Sequence, residues 1–538
     1  MLDIELIYNS KHFAKAPDSP TRVALFNQSS RAIPVLPGAS AQRFETHFPG
    51  LGLLSLARSL ESDIEAGDLK NLEIRFFDEE ACSSQANLVE ELSRWLGPAT
   101  RRVILASTYT QTLNRLQSFL ANFDPRQYLI VLGGAHATTA PDIEFAHIVV
   151  RGEGAAALRH ILKNICTEDF GQGQDAQGLC YIENGQRVIG RAAYDRSLEQ
   201  AESPAFAYHL LPSNVRYATN FQRFLGQRPQ IYVCTQSCRA RCTFCSTYVI
   251  HGRQVTRPVD LIGKDLDYLI RVCGHDAIEF HDDDLLQHDD FGELLTTITG
   301  FNVPWFCYTR AELLTSSVAQ EMHVAGCRRV FVGIESMQQS KLDYFNKRTT
   351  VGVNKAAAQA CAEAGIGVIA GFILGAPDDT TESILDDLDT FLELPLYALN
   401  PSVLSPDPGT VEAIRARQLI DRHAPDPGNR KRLMPDSERW GSENPAGLPT
   451  VCRNVSKADL NHLRRLVLCS FYLRPEVCAR LAEGRTGEQK AIVAEFIHYL
   501  RVYAWQPLLA RTGNCKIDDR VADMAVSFET LDRIFNDL

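Results

Sequence analysis

Short, almost wholly apolar runs alternate with stretches of helical periodicity in two separate series along this chain. The first series has apolar runs at 22–27, 72–77, 102–106, 128–132 and 147–150. Helical spacing is read at 51–60, 87–96 and 111–122. A strand that is apolar on both sides must be covered on both faces, as in a parallel sheet flanked by crossover helices. Residues 1–164 are therefore expected to form a doubly wound, Rossmann-like α/β sheet. Sheets of this kind bind ligands beyond the carboxyl ends of their strands. Ser107, Thr108, Gly133, Gly134, Gly152 and Glu153 all fall there.

The second series has apolar runs at 230–233, 277–280, 305–307, 329–333, 367–374 and 400–404, with helical stretches between them. About six βα units predict a partial (β/α)6 barrel over 226–420, with its chemistry at the strand carboxyl ends. Residues 165–225 read as a linker carrying a hairpin over 180–188 that turns at Asn184-Gly185. Pro, Gly and Asp crowd residues 406–455, and from Lys457 the pattern is helical with stops near Gly484 and Gly513. Residues 421–538 are thus expected to be a small, mainly helical domain that covers the barrel mouth and shapes a substrate pocket.

A chain of 538 residues is too long for one hydrophobic core, which agrees with this division. The net charge of −11 argues against a bulk grip on nucleic acid. No apolar run is long enough to span a bilayer, and the first 15 residues hold no apolar segment of secretory type. The expectation is a cytoplasmic protein with no membrane span and no nucleic-acid partner. In that setting its 15 cysteines are mostly reduced thiols. Cys180, Cys273, Cys327, Cys361 and Cys469 sit in apolar segments as core residues do.

Four cysteines crowd together at Cys234, Cys238, Cys242 and Cys245. In Cys238-Arg-Ala-Arg-Cys242-Thr-Phe-Cys245 the spacing puts three thiolates on one tight loop directly after a strand. Three ligands leave one iron of a four-iron cluster free to bind a substrate or cofactor. The competing reading is a structural zinc knuckle, with Cys234 or His251 as the fourth ligand.

The loop resembles that of the radical S-adenosylmethionine superfamily, whose hallmark is Cys-x3-Cys-x2-Cys with an aromatic residue before the last cysteine, here Phe244. The resemblance names Cys238, Cys242 and Cys245 as ligands of a [4Fe-4S] cluster whose open iron chelates S-adenosylmethionine. Four further segments carry it. Phe280-His-Asp-Asp-Asp-Leu285 offers Asp282 or Asp283 to the cofactor or substrate, an acidic helix cap being the alternative. Tyr308-Thr-Arg310 offers Arg310 to a carboxylate, and Gly333-Ile-Glu335-Ser336 offers Glu335 and Ser336. Gly371-Phe-Ile-Leu-Gly375 supplies a backbone that runs beside adenine and ribose in relatives. Gly365-x-Gly367 is not a dinucleotide fingerprint, since a strand follows it.

The front domain resembles the cobalamin-binding domain fused to many such enzymes. Phe48-Pro-Gly-Leu-Gly-Leu-Leu54, Ser107-Thr108, Leu132-Gly-Gly-Ala-His-Ala-Thr138 and Val150-Arg-Gly-Glu-Gly154 carry this likeness. A domain that kept the fold and lost the ligand is the alternative. Glu45-Thr-His47-Phe-Pro-Gly50 differs from the Asp-x-His-x-x-Gly pattern only by its glutamate, which names His47 as a cobalt ligand. Pro49 stands where the motif's helix would begin, so a packed histidine is the other reading.

Together the resemblances imply C-methylation of an unactivated carbon in a small molecule or natural-product intermediate. The cofactors would be a [4Fe-4S] cluster, S-adenosylmethionine and methylcobalamin, with flavodoxin or ferredoxin as electron donor. Cyclisation or ring rearrangement without methyl transfer is the first alternative.

Overall fold

The computed structural model describes residues 1–8, 10, 13, 19–28, 48–82, 84–99, 101–165, 178–194, 196–213, 215, 217, 226, 228–423, 451–482, 493–494, 496–498, 500–510 and 512–524. Its front domain is a sheet built from β1 (Thr21–Asn27), β2 (Leu72–Asp78), β3 (Arg101–Ser107), β4 (Leu129–Gly133), β5 (Ile148–Val150), β6 (Leu179–Glu183) and β7 (Gln186–Ile189). The spatial order is β2-β1-β3-β4-β5-β6-β7, and β1 to β5 run parallel. Alternate residues of each strand enter opposite cores. Val23, Leu25, Val103 and Leu105 pack with the helices Leu51–Glu65 and Ala155–Asn164. Ala24, Phe26, Ile104 and Ala106 pack with Gln85–Leu96 and Leu113–Leu120. Burial on both faces accounts for the continuous apolar runs.

The hairpin of β6 and β7 departs from the linker reading of 165–225. β6 pairs antiparallel with β5 and so extends the front sheet. Its turn places Asn184 at φ 51° and Gly185 at φ 70°, the left-handed pair that a two-residue hairpin requires. Strand pairing is non-local, and the short apolar run gave no sign of which sheet it joins.

The second sheet holds β8 (Pro229–Tyr232), β11 (Ala277–Phe280), β12 (Trp305–Thr309), β13 (Cys327–Glu335), β14 (Gly367–Leu374) and β15 (Leu396–Val403). A two-stranded piece, β9 (Thr235–Gln236) with β10 (Val255–Thr256), brackets the cysteine loop. The six parallel strands lie in sequence order with helices between them, as a partial barrel requires. β15 starts earlier than the run at 400–404, and Pro401 is tolerated within it because the strand lies at a sheet edge. Strand parity sorts the barrel's side chains: Phe280 and Trp305 stack outward at 5.7 Å, leaving Glu279 and Tyr308 on the inner face.

The helix Lys457–Tyr472 packs on β15, where Tyr472 Oη donates to the carbonyl of Leu399 at 2.9 Å. Among the described residues no helix is long and apolar enough to cross a membrane.

The connection between the domains is pinned under the barrel by Arg257, whose side chain is fully buried against Asp265 at 2.7 Å. Arg257 also donates to the carbonyls of Leu198 and Ala201, while Ser203 and Tyr232 donate to Asp265. Removing one member of a buried ion pair leaves the other charge unpaired in a low-dielectric setting. Asp265→Ala should therefore lower stability by about 3–5 kcal/mol, measured as a shift of the denaturant unfolding curve. A loss of under about 1 kcal/mol would mean that water reaches Arg257.

Candidate functional site

The cysteine loop leaves β9 at Ser237 and returns through the short helix Thr247–His251. Cys242 is buried, while Cys238 and Cys245 are half-buried. Arg310, at the end of β12, donates through Nη1 to Cys242 Sγ at 3.3 Å. The Ala240 N–H points at Cys238 Sγ at 3.4 Å. Cys245 is hydrogen-bonded to Thr247, whose hydroxyl donates to Asp283 Oδ1 at 3.0 Å. Burial pushes the Cys238 thiol up to about 11 and raises that of Cys245 as well. Thiols held neutral in this way give up their protons when a metal takes the sulfur.

Cys234 takes no part in this set. It is fully buried at the end of β8, and its N–H donates to Asp282 Oδ1 at 3.0 Å. His251 is bound instead to Gln236 at 2.8 Å and Glu153 at 3.2 Å. Both proposed fourth ligands of a zinc knuckle are thus engaged elsewhere. Among the described residues no three His, Cys, Asp or Glu side chains converge on one point as a single metal ion demands. Three thiols on one loop suit a cluster better, because each cysteine then meets a different iron.

The run Asp282-Asp283-Asp284 has three separate fates. Asp282 accepts from the N–H groups of Cys234 and Thr235 and so ties the end of β11 to that of β8. Asp283 is exposed beside Thr247. Asp284, which the sequence did not single out, is fully buried and accepts from Thr309 at 2.9 Å, while its Oδ2 has no partner among the described residues. Burial pushes its carboxyl up to about 6. Of the two carboxylates expected at the cofactor, only Asp283 is exposed at the cysteine loop.

Glu335 has φ 69° and accepts from Lys347 Nζ at 3.0 Å, both side chains being buried. Lys347 also lies 6.0 Å from the ring of Phe244, which stacks edge-on against Phe345. Nothing in the sequence marks Lys347; it stands in a polar turn, and only the fold brings it to Glu335. Ser336 is fully buried and turns away from this group, donating to Asp387 at 2.7 Å and accepting from Gln338 N–H at 3.0 Å. The Gly375 N–H donates to Asp379 at 2.8 Å, in the turn that Leu460 of the last described long helix covers.

In the front domain the strand ends carry the expected loops. Thr108 donates to the carbonyl of Gly133 at 2.7 Å and accepts from Ala137 N–H at 2.9 Å, so its hydroxyl stitches two loops together. Gly134 has φ 93°, and a Cβ there would lie 2.5 Å from Ser107 Oγ and 3.0 Å from Thr108 N. The crowding that demands glycine at this position is therefore the protein's own. Glu153 reaches across to the barrel, accepting from Gln236 at 2.7 Å. Gly152 pairs with Ala193. Two buried oxygens near the end of β1, Gln28 Oε1 and Thr112 Oγ1, have no partner among the described residues. His47 lies outside the described residues.

Residues 232–391 match the radical SAM superfamily. They form a radical SAM domain. The match takes in the cysteine loop, Asp282 to Asp284, Arg310 and the Glu335–Lys347 pair. An uncharacterized methyltransferase of Pyrococcus horikoshii is 25% identical over 362 residues, 65% of this chain and 73% of that protein. The anaerobic magnesium-protoporphyrin IX monomethyl ester cyclase of Cereibacter sphaeroides is 25% identical over 269 residues, and this chain spans 43% of its length. The solved structure of the radical S-adenosylmethionine methyltransferase TsrM from Kitasatospora setae, with cobalamin and a [4Fe-4S] cluster bound, has a TM-score of 0.64 at 15% identity. It covers 90% of this chain and 99% of that one, so the fold shared with TsrM includes the front sheet as well as the radical SAM domain.

Burial pushes Asp282 up to about 7, so the folded state holds a proton that the unfolded chain releases near the ordinary carboxylate value. Stability from this group is present below about pH 4 and is lost as pH rises toward 7. Asp282→Asn keeps an acceptor oxygen for both N–H groups and never ionises. Melts at pH 5 and pH 8 should show the wild type losing more stability over that interval than Asp282→Asn. Equal losses would show that Asp282 does not titrate there.

Proposed function

We propose that this chain is a cobalamin-dependent radical S-adenosylmethionine enzyme that methylates an unactivated carbon of a small molecule or natural-product intermediate. The observation that carries the reading is the set of three loop thiols held beside Arg310 and Asp283 in a radical SAM domain that follows a front sheet. In this reading Cys238, Cys242 and Cys245 hold the [4Fe-4S] cluster. Asp283, Asp284, Arg310 and the Glu335–Lys347 pair surround S-adenosylmethionine. The loops at 107–108, 133–134 and 152–153 stand around cobalamin. When bound, these groups supply a deoxyadenosyl radical and a transferable methyl group, and flavodoxin or ferredoxin supplies the electron.

The chain's own residues do the positioning. Arg310 offsets thiolate charge at Cys242 with a charge-assisted hydrogen bond. Phe244, packed against Phe345, screens that side of the loop from water. The Glu335–Lys347 pair presents both signs of charge beside the loop without an unpaired buried ion, which suits a zwitterionic ligand. The similarity to the magnesium-protoporphyrin cyclase favours a second reading, cyclisation without methyl transfer.

Anaerobic reconstitution should give about four irons per chain and a brown absorbance near about 400 nm. Cys242→Ala should abolish deoxyadenosine formation, and full activity in that variant would remove the cluster assignment. Product analysis separates the two functional readings. Equal deoxyadenosine and S-adenosylhomocysteine, matched to a methylated product, is the expected result. Deoxyadenosine alone beside a cyclised product selects the second reading.

A further inference from the structure

Inside the barrel, next to the cofactor-side group, lies a polar cluster that the reading above does not use. Glu279 on β11 is fully buried. Its Oε1 accepts from Tyr308 Oη on β12 at 3.1 Å and lies 2.8 Å from Nδ1 of His281. Its Oε2 is buried with no partner among the described residues. In a neutral imidazole, a carboxylate on Nδ1 fixes the proton on that nitrogen and leaves Nε2 as an acceptor. Among the described residues Nε2 of His281 has no hydrogen-bond partner.

The surroundings show where Nε2 looks. His281, Tyr308 and Phe331 are only partly buried, although Tyr308 and Phe331 lie on inner strands that helices cover from outside and His281 directly follows β11. Their exposure is toward the barrel lumen. Tyr308 lies 4.7 Å from the His281 ring and 5.3 Å from that of Phe331. From the opposite side Phe48 of the front domain meets His281 edge-on at 5.2 Å. The imidazole therefore stands where the two domains face each other, with aromatic rings around an unmet acceptor.

We propose that Glu279, His281 and Tyr308 form the polar anchor of the substrate site, and that His281 Nε2 accepts a hydrogen bond from an O–H or N–H group on a flat, apolar substrate. Glu279 is a positioning residue, holding the ring's orientation and tautomer. Tyr308 walls the ring and shares the same carboxylate oxygen. The inference rests on the reading of the chain as a radical S-adenosylmethionine enzyme and adds the class of molecule it takes. Substrates whose only polar group near the reacting carbon is a carboxylate are rejected, because two acceptors would meet there.

The test uses the anaerobically reconstituted full chain and three probes: indole, 1-methylindole and benzoate. Indole should bind about tenfold more tightly than 1-methylindole, which has the same body and no donor. His281→Phe should abolish that preference, and His281→Gln, which keeps an acceptor near the Nε2 position, should retain part of it. Glu279→Gln should weaken it through loss of the tautomer lock. Equal binding of the two indoles, binding of neither, or tighter binding of benzoate would each overturn the proposal. The wild-type comparison alone decides it even if a variant fails to fold. Formation of deoxyadenosine by the wild-type chain without substrate tests the underlying reading separately.

Discussion

Arg310 makes three contacts at once, and the rest of the site is arranged around them. One nitrogen reaches the Cys242 sulfur, another the carbonyl of Lys347, and Nε the carboxylate of Glu312. A guanidinium this deeply buried must have its donors met, and its fork geometry permits only a narrow set of partner positions. It therefore locks the end of β12, the cysteine loop and the turn after Tyr344 to one another. Lys347 continues the chain of contacts, because the same residue lends its carbonyl to Arg310 and its ammonium to Glu335. Thiol, guanidinium, ammonium and carboxylate thus form one connected group, in which displacing any member leaves a buried charge unpaired.

A second constraint sets the two domains against each other. Glu153 from the front sheet binds Gln236 and lies against His251, on either side of the cysteine loop. The helix Ala135–Thr139 packs beside Thr247–His251, and Phe48 meets His281 at the barrel mouth. The strand carboxyl ends of the front sheet are thereby brought against the cysteine loop. Chemistry between a radical source and a second group needs the reacting atoms held close, and facing strand ends are a direct way to achieve it. Glu153 serves this assembly with a carboxylate that the resemblance assigns to a ligand, and the Thr108 hydroxyl, likewise assigned, ties together loops of the front domain.

The run of three aspartates shows how far local sequence carries. All three are consecutive at a strand end, and the motif offered Asp282 or Asp283 to the cofactor but not Asp284. Alternation and the following short turn Leu285–Gln287 send them to different surroundings. One carboxylate fastens two strands together, one reaches the helix after the cysteine loop, and one is buried under Thr309. Ser336 follows the same logic: its neighbour Glu335, at a left-handed φ, enters the site while the serine hydroxyl turns to Asp387.

What the sequence alone determined is local. Apolar runs buried on both faces specify parallel strands, their alternation with helices specifies two α/β domains, and the cysteine spacing specifies three thiols on one loop. These signals are readable because each depends on residues within a few positions of one another. The tertiary structure alone decided the rest. It attached the hairpin over 179–189 to the front sheet, chose which aspartate meets the cysteine loop, brought Lys347 to Glu335, and turned Glu153 toward the barrel. Each of those outcomes joins residues separated by at least 12 positions, and is set by strand pairing, burial and the need to pair buried charges, which a few neighbouring positions do not contain.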